Sequence, residues 1–437
     1  PAMLLAHRPG HRHRRRRVDE ARASTRQPAP ARATPCGESL DSGRGVCDSR
    51  RLRNRLLLVA GAYNSARWPR RQGGPSPRRG SFPPTRARRR YRRLVLPLSV
   101  LDLSPIVLGS TAGDALRSSL DLARHAERLG YTRYWVAEHH SMPGIASAAT
   151  SVVIGFLAQG TSTIRVGAGG IMLPNHAPLL IAEQFGTLES LYPGRIDLGL
   201  GRAPGTDQTT SYALRRHQTQ GQDPEQDFLE RFQELILWDT GDFPASHPFK
   251  RIAVMPNDVR LPPIFLLGSS DYSAELSAQV GMGFAFAHHF ASYDATAALR
   301  SYRAHFQPSA WRSKPHAILA VAVVAADTDT EAERLASSAD INWLRRSRGE
   351  YRPLPSPDEA LAAPMSERER AAVQSHRRQL FVGAPATVKA RLDQLAEATQ
   401  ADEIMITSPI YDHAARKRSY ELMAGIYAIA PVESASV

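Results

Sequence analysis

Along residues 94–430, short apolar runs alternate with longer stretches in which apolar residues recur every three or four positions. Short runs are typical of buried strands, and the longer period is typical of helices with one buried face. Eight strands are predicted, at Leu98–Asp102, Tyr131–Ala137, Ile164–Gly169, Arg195–Gly201, Ile264–Leu267, Phe284–Ala287, His316–Ala325 and Glu403–Thr407.

The segments between these strands are predicted as helices. Leu116, Leu120 and Leu129 share one face of the first helix, and Gly130 follows as a C-terminal cap. Ser366 and Glu369 have the spacing of a capping box, which predicts a helix start. The other helices are predicted at Ala146–Ala158, around Ile181–Leu191, and at Gln226–Trp238, Ser273–Val280, Ala295–Phe306, Asp329–Arg345, Ala386–Glu397 and His413–Ala428.

Strand and helix alternate eight times within residues 94–430, which predicts an α/β fold of the (β/α)8 TIM barrel type. A doubly wound open sheet is the main alternative. That fold would place a Gly-x-Gly-x-x-Gly turn after the first strand, and the sequence has none there. The Pro-rich stretch Tyr351–Pro364 is interpreted as a loop within an insertion before the last strand.

The net charge of +14 is distributed unevenly. Residues 1–93 contain 25 arginines and five acidic residues, whereas the remainder of the chain has a net charge of −6. Both cysteines, Cys36 and Cys47, also lie in this N-terminal part. A disulfide framework or a thiolate metal site is therefore excluded for residues 94–430.

Residues 1–93 are predicted to be a disordered extension rich in arginine and proline, and residues 431–437 a disordered tail. The extension is interpreted either as a nucleic-acid-binding arm or as translation from a start upstream of Leu94 or Val95. Aromatic residues are sparse and no recognition helix is visible, so a nucleic-acid partner is not expected. No apolar run has the length of a membrane span, so no membrane partner is expected either, and a cytoplasmic location is the default expectation.

Charged and small residues follow the predicted strands, at the end where a TIM barrel carries its active site. They are Asp102, Glu138 to His140, Gly169 with Gly170, Gly201 with Arg202, and Gly268 to Ser270. The group Glu138, His139 and His140 has three interpretations: acid/base chemistry, a structural role and metal binding. Adjacent strand residues point to opposite faces, so three successive ligands for one metal ion are disfavoured, and no metal site is expected.

Two of these segments favour binding of a phosphate. The stretch from Gly268 to Ser273 opens a helix directly after a strand, where free N–H groups and the helix dipole attract anions. A plain helix cap is the alternative. Arg202 adds a second possible phosphate contact, and together they favour a mononucleotide site. Gly167 to Gly170 would leave room for a planar ring, or would simply form a tight exit from the strand.

At these residues the sequence resembles the luciferase-like flavin-dependent monooxygenases, over nearly all of 98–430. Within that family it is most similar to the bacterial luciferase-like oxidoreductases that do not emit light. The strongest similarity lies in Trp135–His140, Ile171–Pro178, Ala182–Phe185, Pro193–Arg202 and Leu266–Ser270.

The resemblance implies roles for individual residues. His139 matches the catalytic histidine of the family, and His140 matches its neighbour near the flavin. Gly169 and Gly170 match a position that often has a cis peptide bond under the isoalloxazine ring. The positions that hold the flavin phosphate correspond to Arg202, Ser269, Ser270 and Ser273. Gly201 stands where the light-emitting enzymes carry a reactive cysteine, a difference that disfavours light emission.

The resemblance further implies a monooxygenase that uses reduced FMN and O2, through a C4a-hydroperoxyflavin shielded from water, to oxygenate a small organic substrate. His139 would act as general base or would stabilise the peroxide. A separate flavin reductase and a homodimer are also expected. The alternative within the enzymes is an F420-dependent dehydrogenase on the same barrel, and the alternative outside them is a non-catalytic flavin-binding protein.

Overall fold

The computed structural model describes residues 96–215 and 223–430. Eight parallel strands form the barrel: β1 (Leu98–Asp102), β2 (Arg133–Val136), β3 (Arg165–Ala168), β5 (Ile196–Gly201), β6 (Ile264–Gly268), β7 (Gly283–Ala287), β8 (Ala317–Ala325) and β10 (Glu403–Thr407). Two shorter strands accompany them. They are β4 (Ile171–Met172), which pairs with β5, and β9 (Leu380–Gly383), which pairs with the second half of β8.

The sheet closes because β10 pairs with both β8 and β1. Ile404 lies opposite Leu98 in one ladder and opposite Leu319 in the other. The remaining order is β1, β2, β3, β5, β6, β7 and β8, with every neighbouring pair parallel. The predicted (β/α)8 barrel is therefore confirmed, with all eight predicted strands in place.

Twelve helices are found in the described ranges. They are α1 (Ala112–Leu129), α2 (Thr150–Gln159), α3 (Pro178–Leu191), α4 (Gln208–Leu214), α5 (Pro224–Thr240), α6 (Asp271–Val280), α7 (Ala295–His305), α8 (Asp329–Ser347), α9 (Pro357–Ala362), α10 (Glu367–His376), α11 (Pro385–Thr399) and α12 (His413–Tyr427). The predicted caps are present: Gly130 adopts a left-handed conformation after α1, and Ser366 forms a capping box with Glu369.

The interpretation of Tyr351–Pro364 as loop is wrong for its second half. Residues Pro357–Ala362 form α9, which begins with a capping box between Ser356 and Glu359. The prolines misled the interpretation because Pro357 occupies the first helical turn, where its missing N–H costs nothing. Between β8 and β10, the insertion consists of α8, α9, α10, β9 and α11.

The barrel interior is filled by apolar side chains from alternating strand positions. Leu101, Trp135, Phe265, Ile318 and Met405 belong to one buried cluster inside the sheet. The rings of Trp135 and Phe265 meet edge to face with their centroids 5.1 Å apart. A second, larger cluster lies between the strands and the surrounding helices. The interior is thus a packed core, and reaction space exists only at its mouth.

Ion pairs seal the N-terminal end of the barrel. Arg133 Nε lies 2.7 Å from Glu403 Oε1, and Arg133 Nη1 lies 2.7 Å from Asp197 Oδ2. Arg165 binds the other oxygen of Asp197, and His316 Nε2 lies 3.0 Å from Glu403 Oε2. Arg133, Glu403 and Asp197 are all buried. Since this end lies opposite the catalytic face of such barrels, the cluster serves stability.

Asp102 follows the sequence rule for an active-site carboxylate but has a structural role. Its carboxylate is buried and lies 2.6 Å from Arg416 Nη2 of α12, and it accepts a 2.5 Å hydrogen bond from Tyr134. Burial alone would raise the pKa of Asp102, but Arg416 together with hydrogen bonds from Ser119 and Tyr134 outweighs this effect, and the pKa is lowered. Asp102 therefore fastens α12 to β1.

The insertion reaches the loops at the C-terminal mouth. The Leu354 N–H donates to Ile106 O at 3.0 Å, and the Leu108 N–H donates to Leu354 O at 2.8 Å. In turn, the Ile106 N–H donates to Gly144 O at 2.9 Å. The segment before α9 is therefore fastened to the loops that follow β1 and β2.

The predictions for residues 1–93 and 431–437 fall outside the described residues and stay predictions, as does the boundary at residue 94. Within the described ranges, no helix is both long enough and apolar enough to cross a membrane.

Candidate active site

Glu138 is the centre of a hydrogen-bonded cluster just beyond β2. His140 Nε2 lies 2.9 Å from Glu138 Oε1, and His176 Nε2 lies 3.0 Å from both carboxylate oxygens. The side-chain amide of Asn175 and the N–H of Met172 each donate to this carboxylate at 2.9 Å. The cluster therefore joins the loop after β2 to the loop after β3.

The Glu138 carboxylate is ionised because of these partners. Burial alone would raise its pKa, since Glu138 is only 1% exposed. Hydrogen bonds from His176, His140 and the Met172 amide outweigh this effect, and the pKa is lowered. The carboxylate thus acts as a fixed anion that orients two imidazoles.

His139 differs from its two neighbours. Its Nδ1 is buried and has no hydrogen-bond partner among residues 96–215 and 223–430. Burial, assisted by the positive charge of Arg346, lowers the pKa of His139 to about 4, so the ring is neutral at physiological pH. The two predicted histidines therefore differ in their contacts. His140 is hydrogen-bonded to Glu138, whereas His139 Nδ1 has no partner among the described residues.

Gly169 and Gly170, which follow β3, are joined by the cis peptide bond that the resemblance implied. A Cβ on Gly170 would lie 2.7 Å from Gly199 O, and one on Gly169 would lie 2.7 Å from Leu101 Cδ1. Gly170 O accepts a hydrogen bond from the Glu138 N–H at 3.3 Å. The pair is thus packed tightly against β1 and β5, and it adds no side chain next to the residue that precedes His139.

Arg202 and the start of α6 lie next to each other. The guanidinium of Arg202 lies over the ring of Tyr272, 4.7 Å from its centroid. Arg202 Nη1 also lies 2.5 Å from Glu225 Oε1, with both side chains about one-third exposed. A partly exposed cation therefore stands beside the first turn of α6.

The three serines are on this same strand-to-helix turn. Ser270 precedes α6, and within the described chain its side chain makes no capping hydrogen bond. Ser273 packs so closely on Gly268 that any Cβ at residue 268 would overlap the Ser273 hydroxyl. Ser269 and Ser270 are both partly exposed. The hydroxyl of Ser270 is thus available to a ligand.

Gly201, at the end of β5, has no room for a side chain. A Cβ there would lie 2.8 Å from Met172 Sδ. A cysteine at this position would require Met172 to move, which agrees with the departure from the light-emitting enzymes noted above.

Several residues near the mouth were missed by sequence reasoning. Asn175 and His176 lie within the motif Ile171–Pro178 that carried the resemblance, but the role of holding Glu138 was not assigned to them. His288 and His289 follow β7 directly, and that position alone could have indicated them. Among the residues that the structure describes, no group of three or more His, Cys, Asp or Glu side chains could hold a metal ion.

The candidate site lies at the C-terminal mouth of a parallel (β/α)8 barrel, the place where TIM-barrel enzymes carry their active sites. The family model described as luciferase-like monooxygenase matches residues 97–402. The chain belongs to this family.

Two curated relatives cover most of the chain. A luciferase-like monooxygenase of Escherichia coli is 49% identical over 324 residues, which is 74% of this chain and 95% of that protein. An N-acetyl-S-alkylcysteine monooxygenase of Bacillus subtilis is 35% identical over 329 residues, 75% of this chain and 97% of that protein.

Solved structures share the fold. Apo-MsnO8 is 38% identical, with a TM-score of 0.71 over 77% of this chain and all of that one. The oxygenating constituent of 3,6-diketocamphane monooxygenase of Pseudomonas putida, in complex with FMN, is 18% identical with a TM-score of 0.55, covering 77% of this chain and 99% of that one. An F420-dependent secondary alcohol dehydrogenase is 15% identical with a TM-score of 0.55, covering 76% and 99%. The last two likenesses concern the fold alone.

Proposed function

We propose that the protein is a monooxygenase that takes reduced FMN and O2 and oxygenates a small organic substrate. The observation that carries this proposal is the free, neutral nitrogen of His139 near the side-chain-free surface of Gly169 and Gly170. Bound reduced FMN would supply the electrons that activate O2. The protein itself would bind, orient and exclude water.

The residues suited to hold FMN fall into two groups. Gly169 and Gly170 would accept the flat ring system, because neither residue has a side chain that could obstruct it. Arg202, Ser269, Ser270 and Ser273 would hold the phosphate together with the N–H groups of the first turn of α6. In this arrangement the phosphate would compete with Glu225 for Arg202.

His139 is proposed to handle a proton at Nδ1. A neutral imidazole accepts a proton when that nitrogen carries the lone pair, and donates a hydrogen bond when it carries the hydrogen. Because burial lowers the pKa of His139 to about 4, the ring enters the reaction uncharged. Glu138 and His140 are positioning residues, since they fix the loop on which His139 stands.

A thioether is the first substrate to test. The B. subtilis relative is named for N-acetyl-S-alkylcysteines, and it aligns with three-quarters of this chain. Transfer of one oxygen atom to such a sulfur would give a sulfoxide, with the second oxygen atom reduced to water by the two electrons of the reduced flavin. N-acetyl-S-benzylcysteine is a suitable first compound for this test.

The test is a stopped-flow comparison of reduced FMN and reduced F420, each mixed with the full chain and O2. A transient flavin absorbance that requires both O2 and protein is expected with FMN, and 18O2 should label the product. Hydride exchange with F420 alone would replace the proposal by a dehydrogenase on the same barrel. Flavin binding without any oxygen incorporation, with either cofactor, would replace it by a non-catalytic flavin-binding protein.

The proposal includes a homodimer, a cytoplasmic location and a separate flavin reductase as donor of reduced FMN. An exposed apolar face supports the dimer: Val152 and Phe156 on α2 are 71% and 43% exposed, and Leu191 on the adjacent α3 is 64% exposed. Burying such a patch between two copies would stabilise a dimer. Light scattering on the Phe156→Asp variant should show a monomer, and an unchanged mass would exclude this face as the interface.

A further inference from the structure

Two histidines outside the proposed catalytic group stand at the same mouth of the barrel. His288 and His289 follow β7 and form a short 3-10 turn with Phe290. Residues directly after a barrel strand line the C-terminal mouth. The two rings nevertheless differ in what they face.

The His289 ring is fixed by a backbone carbonyl of the next strand. Its Nδ1 lies 3.3 Å from the carbonyl oxygen of Ala320 in β8, a residue inside the barrel. A carbonyl oxygen can only accept, so Nδ1 carries the hydrogen and Nε2 keeps its lone pair. Burial lowers the pKa of His289 to about 4, which keeps the ring neutral.

His289 stands opposite His139. In the closed order of eight strands, β2 and β7 are four strands apart and therefore lie across the barrel from each other. His139 follows β2 and His289 follows β7. A positive charge on His139 would lower the pKa of His289, and positive charges on His288 and Arg346 act in the same direction. The two histidines thus come from opposite sides of the C-terminal mouth.

His289 is half-buried as a residue, and its Nδ1 faces the wall. Its Nε2, a hydrogen-bond acceptor, does not belong to the buried side-chain atoms without a partner, so it is the ring nitrogen that a ligand can reach. The largest electrostatic influences on His289 come from His288, His139 and Arg346, and each of them lowers its pKa. A ligand that meets Nε2 must supply a hydrogen-bond donor.

We propose that His289 contacts the substrate, with its Nε2 accepting a hydrogen bond from an N–H or O–H group of the substrate across the barrel mouth from His139. This inference rests on the proposed function. It narrows the substrate class to molecules that carry an N–H or O–H group in addition to the atom that is oxidised. No proton is transferred to His289, which is a specificity-determining residue.

His288 serves as the matched control. Its ring lies 6.2 Å from that of Phe381 in β9, a strand on the outside of the barrel. It has the same chemistry and adjoins His289 in the chain, but it packs against the insertion instead of the barrel interior.

The first experiment needs no substrate. In the full chain labelled with 15N-histidine, NMR should show His289 as the Nδ1–H tautomer, neutral from pH 8 down to about pH 5. Diethyl pyrocarbonate, which acylates unprotonated imidazole nitrogens with release of ethanol and CO2, should modify His289 at Nε2. An Nε2–H tautomer would overturn the proposal. So would an unreactive His289 under conditions in which the exposed His305 is modified.

The second experiment compares a substrate that has an N–H with its N-methyl analogue, beginning with N-acetyl-S-benzylcysteine. His289→Phe should raise KM for the N–H compound about tenfold, as expected for one lost hydrogen bond, with kcat little changed. It should also abolish the preference for the N–H compound over its analogue. His289→Gln, which keeps an amide oxygen near the Nε2 position, should retain most of the preference, and His288→Phe should retain all of it.

The two proposals can fail separately. If the wild-type chain shows no oxygen-dependent flavin transient, the proposed function fails, and the tautomer and acylation results still decide whether His289 presents an acceptor to the mouth. If that transient is normal and His289→Phe still prefers the N–H compound, only the role of His289 fails.

Discussion

Arg202 Nη1 and Glu225 Oε1 lie 2.5 Å apart. Glu225 is therefore already paired with the guanidinium that a bound flavin phosphate would need. Glu225 belongs to the first turn of α5, whereas Arg202 follows β5 and covers Tyr272 at the start of α6. Both side chains are partly exposed, so the pair contributes little to stability. The Arg202–Glu225 pair should therefore affect ligand binding more than it affects the stability of the fold.

Arg202→Ala should therefore weaken FMN binding by about 1–3 kcal/mol, the value of a charge-assisted hydrogen bond. Glu225→Gln should have the opposite effect, because it removes the carboxylate that competes with the phosphate. Fluorescence titration with FMN would measure both. Arg334→Ala, which breaks an exposed pair with Glu331 away from this corner, is the control and should leave the Kd unchanged. Equal affinities for the Arg202 and Arg334 variants would contradict the assignment.

The barrel was predictable because most strands are short runs of mainly apolar, buried residues, and because helix signals such as Gly130 and Ser366 act locally. The short elements were not. α4 and α9 are each less than two full turns long, and β9 has a partner only because the insertion folds back onto β8. Such elements depend on distant contacts that no local pattern encodes.

The site was predictable as a set of positions but not as a set of contacts. Residues at strand ends had to converge once the barrel closed, which located His139, Arg202 and the serines. Asp102 followed the same rule yet pairs with Arg416 from the last helix. The different environments of His139 and His140 could not be predicted either, because they follow from the hydrogen bonds that join Glu138 to His140 and His176.

Gly170→Ala should damage the proposed flavin site more than Gly169→Ala does. At Gly170 the new methyl group would meet the backbone of Gly199, which cannot move without disturbing β5, whereas at Gly169 it would meet the side chain of Leu101. We expect Gly170→Ala to cost about 1–3 kcal/mol in unfolding free energy and to lose FMN binding. Denaturant titration and FMN fluorescence would measure the two effects.

Gly425→Ala is the matched control for these substitutions. Gly425 lies within α12, and a Cβ placed there would have no described atom within 4 Å other than those of its own helix backbone and chain neighbours. This variant should be more stable by about 0.4–1 kcal/mol, because alanine reduces the conformational entropy of the unfolded chain. If the Gly170 variant were as stable as the Gly425 variant, the backbone around β5 would have moved to accommodate the new methyl group at little cost in stability.

Acid should weaken the fold through Glu403. Burial alone would raise the pKa of Glu403, but Arg133 and His316 lower it to about 2, below the ordinary value of 4.5. The resulting stabilisation is complete above about pH 4.5 and is lost as the pH falls towards 2. Glu403→Gln should lose roughly 3–5 kcal/mol at pH 7, because Arg133 is left with an uncompensated charge, and its stability should fall less between pH 4.5 and 2.

Urea unfolding at a series of pH values tests this expectation. Glu275→Gln is the control, because Glu275 is exposed on α6, and it should follow the wild-type curve. A Glu403 variant with wild-type stability at neutral pH would mean that Asp197 alone satisfies Arg133.

His139→Ala should uncouple flavin oxidation from substrate oxygenation while leaving FMN affinity nearly unchanged. Glu138 and His140 keep the loop in place through bonds that do not involve His139, so the FMN surface at Gly169 and Gly170 should survive. What is lost is the neutral nitrogen that handles the proton. The measurement is hydrogen peroxide released per flavin oxidised, which should rise towards one as product falls. His305→Ala, on an exposed part of α7, is the control. Full oxygenation by the His139 variant would remove His139 from the mechanism.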